Sequence, residues 1–328
     1  DDDDDDDEMH VHHHQEQGHH HHHHIRRRRQ QHEDFVAVKC IDKVISKRKG
    51  KPATVKLVRM LLRELALTSV MGNYVCSTKL IGVYEDSRYL FIVMNYNEGG
   101  TLYPHIHHGM KMTENNAAVV IYQILWQLAQ WHSEGFVHTD INPSNWMFVK
   151  EGQLWVKGID FGLSQILNIH NKSDRLTSRR GTPAFIAPEV VGRRSYEYKA
   201  DIWSIGCLLF QMLTSRSPLE SNPLELSRID RNALFEITVN GTLKLAGDDW
   251  DAISPPAKDL IRKMLCRDPM LRISAREALR HRWLHQPQIL RYIQRHPALR
   301  AIRPEEEAND DDDNSSKIAV AIGNSGST

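Results

Sequence analysis

Residues 137–145 read VHTDINPSN: a His, an Asp two positions later and an Asn five beyond that, directly before the apolar run Trp146, Met147, Phe148 and Val149. A polar stretch feeding an apolar one reads as a loop entering a buried strand. Twenty residues after Asp140 comes IDFG, with Asp160 at the end of another apolar segment and Gly162 free to turn sharply. Two carboxylates and one carboxamide are thus delivered from neighbouring loops. Phosphoryl transfer from a nucleotide needs a carboxylate to orient an attacking hydroxyl and oxygen ligands to hold Mg²⁺ against the phosphates. Asp140, Asn145 and Asp160 could supply both. One His-x-Asp arises by chance in many loops, so the weight falls on what accompanies it.

Taken in order with VAVK at 36–39, APE at 187–189 and DIWSIG at 201–206, the loop resembles the protein kinase family over about residues 35 to 284. GTPAFIAPEVV and AKDLIRKMLCRDPMLRISAREALRHRWL look like the calcium/calmodulin-dependent group of Ser/Thr kinases. The fold this implies is α+β and bilobal: a truncated, small β-rich N-lobe at 35–98 and a larger helical C-lobe at 99–285. The activity it implies is transfer of the γ-phosphate of MgATP to protein serine and threonine hydroxyls, and departures from the family pattern lead us to expect reduced turnover. A catalytically impaired pseudokinase, serving as a scaffold or regulatory binding module, is the alternative.

By the same resemblance, Asp140 is the catalytic base, Asn145 and Asp160 bind the metal, and Lys39 contacts the α and β phosphates while pairing with Glu64. Ala37 belongs to the nucleotide site, Met94 guards the back of the adenine pocket, Met147 lies beneath adenine, and the backbone from Asn95 to Asn97 forms the hinge hydrogen bonds. The ring of His138 stacks under Phe161. Thr182 hydrogen-bonds the catalytic Asp, which favours Ser/Thr over Tyr. Asp201 bonds the catalytic-loop backbone, and Arg272 forms a buried ion pair with Glu189.

These groups need a frame. FVAVKCI alternates and is β-branched, so it predicts a strand carrying Lys39, although a surface-strand lysine would look the same. Residues 55–71 have Leu57, Met60, Leu61, Leu65 and Leu67 near helical spacing, with Glu64 among them. LIGVYEDSRYLFIVMNY predicts two strands. Thr113 is a helix cap for a wide apolar face of Ala117, Val120, Ile121, Ile124, Leu125, Leu128 and Trp131. A short hairpin is expected across 145–149 and 153–159, an activation segment at 163–186, and a buried helix at 200–213 whose Asp201 could simply be its cap.

Several positions depart from the family pattern. Two strands and a GxGxxG loop normally precede the lysine strand, and residues 5–34 hold His, Gln and Arg with a single glycine, Gly18. Thr139 replaces an arginine that gathers a phosphorylated activation segment, which puts switching at Thr177 or Ser178 in doubt. Asn142 replaces a lysine that supports the γ-phosphate. Thr101 and Ser144 stand where relatives preferring basic substrates carry glutamates. Thr68 brings a hydroxyl into a normally apolar column.

Length and composition bound the rest. With 328 residues and 40% hydrophobic content the chain can bury a sizeable core, and 42 basic against 42 acidic residues leave no overall field for nucleic acid or an anionic membrane. Four isolated cysteines and the lack of a signal-like or membrane-length apolar run point to a cytoplasmic, or nuclear, protein. Residues 1–34 are expected to be disordered; their His run could chelate a metal or be drift or a tag, and Arg26 to Arg29 could be a nuclear address or a solvated charge run. Residues 286–328 form a tail. Its part 286–303 could be a calmodulin target or an autoinhibitory helix, or a plain terminal helix fraying into the acidic end EEEANDDDD.

Overall fold

The β-branched alternation after Phe35 forms strand β1 (Val36–Asp42), and the periodic apolar positions form helix α1 (Val55–Met71). Strands β2 (Leu80–Glu85) and β3 (Tyr89–Asn95) follow, joined by a turn in which the Asp86 carboxylate accepts from the amides of Arg88 and Tyr89. β3 lies between the other two and is antiparallel to both, giving the order β1-β3-β2. Lys39 faces Ile92 across the pair, and Ala37 faces Met94. The computed structural model describes residues 35–43, 55–107, 111–171, 173–220 and 229–299. The elements fall within the unit Val36–Thr328. The stretch 1–34, with its His and Arg runs and the place of a glycine loop, and the tail from residue 300 lie outside the described residues.

After α2 (Leu102–His107) comes the central helix α3 (Glu114–Ser133), capped by Thr113, whose hydroxyl accepts from the Asn116 amide. The expected apolar face is buried, and so are Ala118, Val119, Tyr122 and Ala129 on its flanks. Two buried glutamines on this helix reach backbone of other segments. Gln123 donates to the carbonyls of Val119 and Leu154 and accepts from the Val156 amide, while Gln127 accepts from the Cys76 amide. At its start, Glu114 accepts from the amide and hydroxyl of Ser254 and from the indole of Trp283. One carboxylate thereby joins the first turn of α3 to two later segments.

Short strands follow: β4 (Phe136–Val137) pairs with β7 (Gln165–Ile166), and β5 (Trp146–Phe148) with β6 (Val156–Gly158), shorter strands with a longer connection than the sequence suggested. The remaining helices are α4 (Pro188–Val191), α5 (Lys199–Thr214), α6 (Arg231–Asn240), α7 (Asp248–Asp251), α8 (Pro255–Met264), α9 (Ala275–Leu279) and α10 (Pro287–Arg295). α5 is buried all round, in keeping with its continuous apolar sequence. The result is the α+β architecture expected, with a strand-rich amino-terminal part and a helical carboxy-terminal part. Among the described residues no helix is long and apolar enough to cross a membrane.

α10 bears on the two readings of residues 286–303. Ile289 and Ile293 are buried, the helix packs on α3, and the Tyr292 hydroxyl accepts from the Leu154 amide. The apolar side chains that a calmodulin target would present are occupied by the core, and Leu299 beyond them is buried too. In the described part of 286–303 the chain is a helix packed on the core.

α4 is fastened to the core by Arg272. Its guanidinium meets Glu189 through two parallel bonds of 2.7 and 2.9 Å, donates to the carbonyls of Cys266, Lys199 and Arg267, and lies 5.3 Å from the centre of the Trp203 ring. All five N–H donors are used inside the protein. Arg272→Ala should lower stability by about 3–5 kcal/mol in chemical denaturation, because Glu189 is left charged and buried, whereas Glu189→Leu/Arg272→Met together should recover a large part of that loss.

Candidate active site

The site grows out of the turn between β4 and β5. Asp201, 1% exposed near the start of α5, accepts from the amides of His138 and Thr139 at 2.8 Å each, and from His132 Nε2 at 2.9 Å. It therefore organises the loop; the residue preceding α5 is Tyr198, which makes no side-chain cap. Thr139 is held at φ 63°, a left-handed conformation that a β-branched residue adopts only under constraint. Its hydroxyl donates to the Leu163 carbonyl, tying the loop to the stretch after Asp160.

Asp140 is surrounded by donors. Asn145 Nδ2 reaches its Oδ2 at 2.9 Å, while Thr182 brings both amide (2.9 Å) and hydroxyl (2.6 Å) to its Oδ1. Thr182 gets there because Gly181 adopts φ 109° with the Thr139 carbonyl oxygen 2.5 Å from where a Cβ would stand. Asn142, which the sequence marked only as a lost cation, donates to the Thr182 hydroxyl at 3.1 Å and caps the following turn by accepting from the Ser144 amide. It is a bridge inside the site.

Above the loop, Lys39 Nζ lies 2.5 Å from Glu64 Oε1 and 3.7 Å from Asp160 Oδ2. Burial alone would lower the lysine's pKa; the charges of Asp160 and Glu64 outweigh it, and the net shift is upward from 10.5. Asp160 Oδ1 accepts from the Gly162 amide, and a Cβ on Gly162 would come within 3.1 Å of both Asp160 and Glu64. Strand β1, helix α1 and the IDFG turn thus bring three charges to one point.

The expected nucleotide residues are placed less uniformly. Ala37 and Met94 face each other on β1 and β3, and Met147 pairs with Lys157 on β6 and bridges to Thr101. The Asn95 amide already donates to the Lys79 carbonyl, so that hinge donor is not available to a ligand, and the buried Asn97 side chain donates to Thr78. His138 is not stacked under Phe161: it meets that ring edge-on at 5.8 Å and stacks on Trp146 instead. Thr68 donates its hydroxyl to the Glu64 carbonyl at 2.8 Å, so the buried oxygen is satisfied within its own helix. His132 escaped sequence reasoning, and so did the contact of Trp146 with His138; no local pattern shows either. Among the described residues no cluster of three or more His, Cys, Asp or Glu is arranged for a metal. Asp160 and the oxygen of Asn145 are nevertheless hard donors suited to Mg²⁺ that completes its shell with phosphate and water.

The sequence profile of the protein kinase domain matches residues 24–284. Ribosomal protein S6 kinase alpha-1 of Rattus norvegicus is 34% identical over 246 residues, covering 74% of this chain and 31% of its own length. Calcium-dependent protein kinase 1 of Arabidopsis thaliana is 32% identical over 253 residues, 75% of this chain and 40% of its own. Calcium-dependent protein kinase 2 of the same plant is 34% identical over 244 residues, 74% of this chain and 36% of its own. The chain therefore spans well under half the length of these curated relatives.

The raised pKa of Lys39 gives a signed expectation. A native state that holds the proton more tightly than the unfolded chain gains stability fully below 10.5 and loses it as pH climbs through the higher native value. The difference in thermal stability between wild type and Lys39→Met should stay level from neutral pH to about 10 and shrink only beyond it.

Proposed function

The chain belongs to the protein kinase family, and from that premise we propose that it is a Ser/Thr protein kinase transferring the γ-phosphate of MgATP to hydroxyls of protein substrates. The family generally uses ATP and Mg²⁺; here MgATP, when bound, would supply the phosphoryl group and neutralise its charge. The observation that carries the reading is the Asp140 carboxylate held by Asn145 and Thr182, with Lys39 pinned between Glu64 and Asp160. In this reading residues 35–98 and 99–285 are the two lobes, 286–328 the tail, and the compartment is the cytoplasm.

Each residue has a task. Lys39, fixed by Glu64, presents its ammonium to phosphate oxygens. Asp160 and Asn145 would hold the metal by oxygen, Asn145 keeping its nitrogen on Asp140. Asp140 receives the substrate hydroxyl and aims it, and Thr182 keeps that carboxylate from rotating. Ala37, Met94 and Met147 line the base of the nucleotide. Positioning and charge neutralisation make up most of such catalysis. Asn142 gives the γ-phosphate no cation, so turnover is proposed to be lower than in a chain with lysine there.

The test is transfer of labelled γ-phosphate to a generic protein substrate with Mg²⁺. Asp140→Asn and Asp160→Asn should each reduce transfer about 10²-fold or more. Wild-type signal equal to that of Asp160→Asn would instead support the scaffold reading, favoured by the residue at position 142. MgATP should also raise the melting temperature of the wild type.

A further inference from the structure

We propose that Arg179, Arg180 and Arg231 form a docking surface for carboxylate side chains flanking the acceptor hydroxyl, so that the substrates are acidic protein segments; this rests on the kinase reading above. Arg179 and Arg231 both stack on Phe235, their guanidinium carbons 4.8 and 5.4 Å from the ring centre. Phe235 is buried in α6, so an apolar ring, and no acid, positions both cations. Arg180 Nε donates to the Ser178 hydroxyl at 2.9 Å, and two residues further the chain reaches Thr182 on Asp140. Arg179 and Arg180 thus stand on the segment that touches the proposed base, and Arg231 stands on α6 across the same ring as Arg179.

None of the three has a carboxylate within ion-pair distance among the described residues. Asp201 lines a small cavity together with Arg180, but its oxygens already serve His138, Thr139 and His132. Positive charge accumulates further through Arg63 of α1: burial and then the Arg180 guanidinium push its pKa down, and its own partner is the neutral Gln165. Thr101 and the exposed Ser144 add no negative charge that would attract a basic substrate. Planar guanidinium groups without a carboxylate partner suit carboxylates, which they can take in pairs of parallel bonds.

The test uses the full chain, shown by mass to carry no phosphate, and two labelled peptides with alanine at the acceptor position, one flanked by Asp and Glu and the other by Arg and Lys. Anisotropy should show the acidic peptide binding about tenfold tighter or more, and the difference should shrink with salt. Arg179→Glu/Arg180→Glu should reverse the preference. Arg231→Gln, outside the activation segment, should weaken acidic binding about threefold and serves where the double variant fails to fold. Equal or tighter binding of the basic peptide overturns the proposal. So does acidic binding that appears only when Glu305, Glu306 and Glu307 are changed to Gln, since the tail would then be the occupant. Acidic binding with no phosphate transfer to the matching serine peptide keeps the docking surface and sinks the kinase reading instead.

Discussion

A buried carboxylate is tolerated only when donors surround it, and Asp201 is the point on which the rest of this site depends. Its two oxygens take two consecutive loop amides and one imidazole, and that arrangement holds Thr139 in a left-handed conformation it would not choose. With Thr139 so placed, its carbonyl leaves room for a glycine and nothing larger at 181, and its hydroxyl reaches Leu163. Asp140 then projects between Asn145 and Thr182. The geometry of the Asp140 carboxylate, the proposed base, is therefore set from below, by α5.

Two ion pairs divide the remaining work according to their exposure. Arg272 and Glu189 are sealed in the core, with every guanidinium donor used, and join α4 to the helical part of the chain. The side chain of Lys39 is 40% exposed, and it is shared between Glu64 and Asp160 from different elements. A sealed pair is costly to break and fixes structure, whereas an accessible one can exchange partners with incoming phosphates.

Much of the frame was legible because its signals are local. The alternation around Lys39, the 3.6-residue spacing in α1 and α3, and the continuous apolar run of α5 each report one face of one element. The acid, amide and lysine of the site were legible by their order along the chain. What escaped were bonds between distant residues with no periodic signature: Gln123 on Leu154 and Val156, His132 on Asp201, Asn142 on Thr182. Asn142 is instructive, since identity alone shows a missing charge and only its neighbours show a carboxamide bridging two loops. Thr68 misled in a similar way, because a hydroxyl in an apolar column looks unsatisfied until the carbonyl four residues back is seen to take it.

The helix α10 lies past residue 284, where the family profile stops, yet Ile289 and Ile293 fill the core and Tyr292 closes the Leu154 amide on the strand hairpin that carries Met147. Evolutionary likeness and mechanical integrity thus have different borders in this chain. Loss of α10 would bare an oily furrow along α3 and leave the Leu154 amide without its acceptor.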